Sequence, residues 1–482
     1  MKGFCNRKPP FRQRKTEGAH THTKRCNKLS IELCEQAVRT CFDGKWRRND
    51  VLSFVEKYAG IPRDEIKLEE LTGERTTRNE AVKSCALALF ETLTEIIEGE
   101  EPDSVEPVIV RPRPDGMTGK IRDIALLSIM HQLIGHAAKL MLDPLFKAKI
   151  LPTQHASLPG HGQTRLKNQT HRYFLKESLG VQYVVKTDVV HAYESTAYEV
   201  VIGFVKRDLP KAHDLHAILE YLGRIAPGGH LIIGGYLDAW LFNYLMSYAI
   251  RFVYEQVSVR RGKKIRHIVR CVTFMDDFAY LSKSIKGLKR STRNLNKWMQ
   301  RELNLRLKWT SGIIKMLPIE EETRRRAMPH GKASRGCPVL DMAGFRICRT
   351  HIMIRPRVFL RARRQFLRAW NELQRTGTLR RVRAEKLISH NSRVAQSDSI
   401  YMIEKYHITE LMEVAERVSS FHQREDMRKR REELYDLQRR RSKGEAAEGF
   451  NRTFTGEDGS AVDGQRENVH VGRRGTAGDD QV

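Results

Sequence analysis

The chain has 482 residues, 40% hydrophobic and 30% charged, which argues against a fully disordered protein and leaves room for about three domains. Lys and Arg outnumber Asp and Glu 86 to 58, a formal charge of +28; spread along the chain, these cations favour nucleic acid as partner over a membrane surface. Eight cysteines with no Cys-x-x-Cys pair argue against disulfide staples and point to reduced thiols and a cytoplasmic location.

Residues 1–28 form a basic arm without apolar periodicity. Helical signals follow over 29–106. Ile31, Cys34, Val38 and Cys41 recur at three- and four-residue steps, and Val82, Cys85, Leu89, Leu93 and Ile96 share a second helical face. Thr77 and Glu80 read as a capping box for that second helix, and Gly99 as its stop. Residues 107–126 predict two short strands around a Pro-Asp-Gly turn, with Lys120 and Arg122 on the second strand, and an apolar helix follows over about 128–142.

VQYVVKTDVVHAY, residues 181–193, predicts a buried strand with Asp188 near its end. The apolar run 231–250 is long enough to span a bilayer, but Asp238 and two glycines favour a buried helix entered through a glycine turn. VTFMDDFAYLSKS, residues 272–284, predicts a hairpin that carries Asp276 and Asp277 at its tip. Residues 355–443 are helical in pattern and strongly basic, and 444–482 lack apolar periodicity and read as a disordered tail.

Adjacent carboxylates inside an apolar hairpin are costly unless a cation neutralises them. If the strand of Asp188 lies beside that hairpin, three acids converge. Oxygen-only donors select hard ions, and a magnesium pair serves phosphoryl transfer, in nucleases as well as polymerases.

VKTDVVHAY together with FMDD resembles motifs A and C of reverse transcriptases. In the expected order, KIRDIALLSIMHQ resembles the fingers segment, LIIGGYLDAWLFNYLMSY motif B, ELNLRLKWTSGIIK motif D, and DMAGFRICRTHIMIRPRVFLRARR motif E and the start of the thumb. The likeness runs over about 107–425 and is to bacterial group II-intron-like, retron-like and defence-associated forms of this RNA-directed DNA polymerase family. It implies an α+β right-hand polymerase fold: a helical N-terminal extension (29–106), fingers and palm built of antiparallel sheet and helices (107–350), and a basic helical thumb (351–443).

The resemblance also implies roles. Asp188 and Asp276 would bind two Mg2+ ions, with Mn2+ as a substitute, Asp277 would complete the acidic cluster, and the main-chain carbonyl of Val189 would be a further ligand. Tyr193 would exclude the ribose 2′-hydroxyl, Lys120 and Arg122 would clamp the dNTP triphosphate, and Gly234 would allow close backbone approach. Lys308 would protonate departing pyrophosphate. Arg355, Arg357, Arg361, Arg363 and Arg364 would hold nucleic acid by its phosphates, while Phe359, Phe366 and Trp370 pack the helix core.

The expected partners are an RNA template, a DNA or RNA primer and a cognate structured RNA, with no membrane. The sequence departs from the family pattern at Asp238-Ala239, which stand where motif B carries a Ser-Pro or Ser-Gln pair and which the resemblance sets near the template path. Two rivals stay open: an RNA-binding, maturase-like protein with secondary polymerisation, and untemplated or protein-primed DNA synthesis in phage defence.

Overall fold

The computed structural model describes residues 25–114, 121–309, 312–326 and 337–442. Lys120, most of the basic arm and the C-terminal tail lie outside the described residues. The fold is mixed α+β, with several small antiparallel sheets set among many helices.

The chain begins with α1 (Ile31–Phe42), α2 (Asn49–Ala59), α3 (Arg63–Thr72) and α4 (Thr76–Glu98). Ser30 caps α1 by accepting from the Leu33 N–H at 3.2 Å. Cys34, Val38 and Cys41 are fully buried, and so are Cys85, Leu89 and Leu93 of α4, which packs against α1. The start of α4 differs from the expected capping box: Thr77 is already helical, and the cap comes from Glu69 of α3. The Thr77 and Arg78 N–H groups donate to Glu69 Oε1 at 2.5 and 3.2 Å, so a carboxylate from the preceding helix meets the positive end of the α4 dipole. Gly99, at φ 91°, ends the helix.

Next come β1 (Ile109–Pro114) and β2 (Ile121–Leu126), an exposed antiparallel ribbon, and then α5 (Ile129–Lys149). α5 runs past its predicted end because the turn containing Pro144 buries Leu145 and Phe146, and the Phe146 ring stacks on Trp240 at 5.5 Å. Burying two such side chains is worth about 1.5–3 kcal/mol each, enough to offset the backbone bond that proline removes.

The main sheet is built from β3 (Tyr183–Val189), β6 (Arg270–Phe274), β7 (Asp277–Ser282), β8 (Leu307–Trp309) and β9 (Ile314–Lys315). Its order is β6-β7-β3-β8, with β9 also paired to β3, and every pairing is antiparallel. Between its strands the chain forms α6 (Gln163–Leu175), α7 (Tyr198–Asp208), α8 (His213–Ile225), α9 (Tyr236–Glu255), the exposed β4 (Val257–Arg260) and β5 (Lys263–Arg266), and α10 (Ile285–Leu303). α9 is apolar nearly all round and buried against α5, as a central core helix should be. No helix among the described residues is long and apolar enough to cross a membrane.

Beyond the sheet lie α11 (Ile319–Arg326) and a small antiparallel sheet of β10 (Leu340–Met342), β11 (Phe345–Ile347) and β12 (Ile352–Ile354). Four helices follow: α12 (Pro356–Thr376), α13 (Arg381–Val394), α14 (Ile400–Lys405) and α15 (Ile408–Ser442). Phe366, Leu387 and Leu411 close a core of their own, with Phe359 and Trp370 packed on its edge. α15 reaches back to the N-terminal helices, where Arg430 lies 3.6 Å from Glu70.

Candidate active site

Two strands and one turn assemble the acids. Asp188 is the penultimate residue of β3, and it lies directly opposite Asp277, the first residue of β7. Residues opposite one another in an antiparallel pair face the same side of the sheet, so both carboxylates project together. β6 and β7 are joined by the two-residue turn Met275-Asp276, in which Met275 takes φ 54°. A left-handed conformation at a side chain other than glycine costs about 1–2 kcal/mol. The Val189 N–H donates to the Asp276 carbonyl at 3.1 Å and ties this turn to the end of β3.

The turn brings the Asp276 carboxyl against that of Asp188. Burial first, then the Asp188 contact and its charge, hold Asp276 well above the usual carboxylate range. Asp277 is also pushed up by burial, opposed by Lys186, whose Nζ lies 2.8 Å from Asp277 Oδ1. Lys186 is a site residue that sequence reasoning missed, although its place two residues before Asp188 on an alternating strand signals the shared face.

The other expected site residues divide. Lys308 stands opposite Asp188 in the β3–β8 register, on the same side of the sheet. Tyr193 packs beneath the acid turn: its ring stacks on Phe242 with centroids 5.4 Å apart, and its hydroxyl donates to Met275 Sδ at 3.8 Å. Gly234 takes φ 111°, and a Cβ there would sit 3.1 Å from the Ala125 carbonyl of β2, so glycine is required. Arg122 lies on the exposed ribbon, opposite Arg113, and makes no ion pair among the described residues.

Arg355 donates from Nε to Asp341 Oδ1 at 2.6 Å, and its charge reaches Asp277. Arg357 and Arg364 are exposed on α12, opposite its buried Val358, Ala362, Phe366 stripe. Arg361 is half-buried, and Arg363 donates to the Tyr406 hydroxyl at 2.9 Å.

Asp238 is buried at 3% exposure, not set on an open path. Its Oδ1 accepts from the Tyr198 hydroxyl and from the Ile232 N–H, both at 3.0 Å. Burial pushes its carboxyl up to about 6. It joins the start of α9 to α7 and to the preceding loop, and Gly235 is needed beside it because a Cβ would fall 1.8 Å from Asp238 Oδ2.

A second cluster escaped the sequence reading. Glu322 of α11 and Cys348 and His351 of the β11–β12 turn are all buried, and their donor atoms lie within 4.8 Å of one another, close enough to coordinate a metal ion. The Glu322 carboxylate accepts from the Thr350 N–H at 2.9 Å, the Thr350 hydroxyl at 2.7 Å and the Arg349 N–H at 3.2 Å. These bonds, with that of the Cys348 thiol, outweigh burial and hold Glu322 below its ordinary value. Burial and Glu322 push the Cys348 thiol up to about 12. The spacing Cys348-x-x-His351 was the available signal.

No family model and no curated protein matches the chain.

Proposed function

We propose that the protein is an RNA-directed DNA polymerase, which extends a primer 3′-hydroxyl with dNTPs on an RNA template. On this reading residues 107–350 are fingers and palm and 351–443 the thumb of a right hand. The observation that carries it is the convergence of Asp188, Asp276 and Asp277 at one end of a central sheet, where Asp188 stands opposite Asp277 and the turn sets Asp276 beside Asp188. Three oxygen donors that cannot all ionise unaided suit hard divalent cations, and the half-burial of all three leaves the site open to a substrate.

Two magnesium ions, when bound, supply a polarised α-phosphate, an activated hydroxyl and a stabilised leaving oxygen. The chain's own residues do the rest. Asp276 and Asp188 would hold the ions through their carboxylate oxygens, with the Val189 carbonyl as a further ligand. Lys186 keeps Asp277 oriented from below. Tyr193, wedged between Phe242 and Met275, presents a fixed ring against a ribose 2′-hydroxyl. Lys308, across from Asp188, is placed to donate a proton to pyrophosphate. Arg122 and Lys120 hold the triphosphate, and Arg355, Arg357, Arg361, Arg363 and Arg364 the nucleic-acid backbone.

Incorporation of dTTP on poly(rA)/oligo(dT) tests the proposal, with Asp276→Asn as control. Wild-type incorporation lost in the variant supports it, and absence of incorporation by a folded wild-type protein with magnesium or manganese rejects it. The exposed arginine face of α12 favours one second reading, an RNA-binding, maturase-like role, for which RNA binding without incorporation is the signature. The Asp238 carboxyl is buried and bonded, so this departure from the family pattern gives untemplated synthesis no support.

A further inference from the structure

The cluster at the β11–β12 turn has a donor set unlike that of the three aspartates: one carboxylate oxygen, one thiol sulfur and one imidazole. Sulfur and imidazole select zinc-class ions over magnesium. The Thr350 hydroxyl donates to Glu322 Oε1 at 2.7 Å and lies 2.8 Å from His351 Nδ1. Both ring nitrogens of His351 approach Cys348 Sγ, Nδ1 at 3.0 Å and Nε2 at 3.5 Å, and Nδ1 is 3.8 Å from Glu322 Oε1. A tetrahedral zinc with a sulfur at about 2.3 Å and a nitrogen at about 2.0–2.1 Å holds the two about 3.5 Å apart.

The sulfur is also 3.2 Å from the His351 carbonyl.

We propose that Glu322, Cys348 and His351 bind one zinc-class divalent ion through a carboxylate oxygen, Sγ and an imidazole nitrogen, at a structural site separate from the aspartate cluster. Binding forms a metal–sulfur bond, releases the Cys348 thiol proton to solvent, and involves no change of oxidation state. The carboxylate and thiolate balance the charge of a 2+ ion. Three protein donors leave one position for water.

The site has a mechanical consequence. Arg349, inside the turn, donates from Nη1 to the Phe174 carbonyl at 2.7 Å, and His171 of α6 contacts the Arg349 carbonyl at 2.8 Å. An ion at 322/348/351 therefore locks α11, the β11–β12 turn and the end of α6 together, just ahead of the strand that leads into α12.

The test uses the full chain, stripped of metal and titrated with Co2+, then with Zn2+. One equivalent of cobalt should bind with a thiolate-to-metal charge-transfer band that zinc abolishes. Cys348→Ser should lose the band, and Asp276→Asn should keep it. Adding zinc should raise the Tm of the stripped wild type and leave that of Cys348→Ser unchanged. A wild-type protein that shows neither a thiolate band nor a zinc-dependent Tm overturns the proposal, whether or not the Ser variant folds. So does a Cys348→Ser protein that retains the full cobalt band.

Discussion

The two buried acidic groups that matter most, Asp276 and Glu322, sit in opposite circumstances. Glu322 is more deeply buried, yet its carboxylate is held below its ordinary value, because two backbone N–H groups, a hydroxyl and a thiol all point at it. Asp276 is half-buried and is pushed up, by burial first and then by the Asp188 carboxyl beside it, with no donor to offset them of the kind Glu322 has. Burial alone therefore does not decide the protonation of an acid. The supply of donors does, and a site short of donors is one that an added cation can complete.

The largest effect that tests this contrast is on activity. Replacing Asp276 with Asn should lower dNTP incorporation by at least about 10²–10³-fold, the scale of losing a main electrostatic contributor. It should not lower the Tm above neutral pH, since it removes a like-charge pair. A variant that unfolds instead would place Asp276 with Glu322 as a structural acid.

Asp238 supplies the intermediate case, a buried acid with two donors. Its carboxyl is raised to about 6, so its contribution to stability is present below about pH 4 and is lost as pH rises through about 6. The loss amounts to about 3 kcal/mol. Asp238→Asn keeps an acceptor for Tyr198 and Ile232, so urea unfolding of the variant should show a correspondingly flatter pH profile between 4 and 7. An unchanged profile would mean that Asp238 stays charged and satisfied throughout.

Glu322→Gln puts an amide where an acceptor is needed. Each donor left unpaired should cost about 1–3 kcal/mol, visible as a lower urea midpoint in metal-free protein. If stability holds, the turn does not depend on that carboxylate. The smallest effect concerns the surface: Arg357→Gln and Arg364→Gln should each reduce the slope of log affinity against log salt for RNA by about one, with little change in folding. Equal slopes would remove α12 from the nucleic-acid interface.

Some of this was legible along the chain. Asp276-Asp277 stood out because two charges interrupt an apolar alternating run, and such a pattern needs only local reading. The buried faces of α1 and α4 followed from their three- and four-residue spacing. The cap of α4 was misassigned because Glu69 reaches it from the preceding helix, across a turn, where a better-placed carboxylate outcompetes the local Thr77. The Glu322/Cys348/His351 cluster was missed for a related reason: Cys348-x-x-His351 is half a site, and its third member comes from another element.

The periodic faces, the glycine stops and the acids inside apolar strands can be read along the chain, because they depend on neighbours within a few residues. Which acids meet one another and which meet donors depends on the folded arrangement. Register across β3 and β7 sets Asp188 against Asp277, a left-handed Met275 swings Asp276 onto Asp188, and the packing of α11 on a turn carries Glu322 to waiting N–H groups. Electrostatic energy depends on distance in space, and a linear chain does not state those distances.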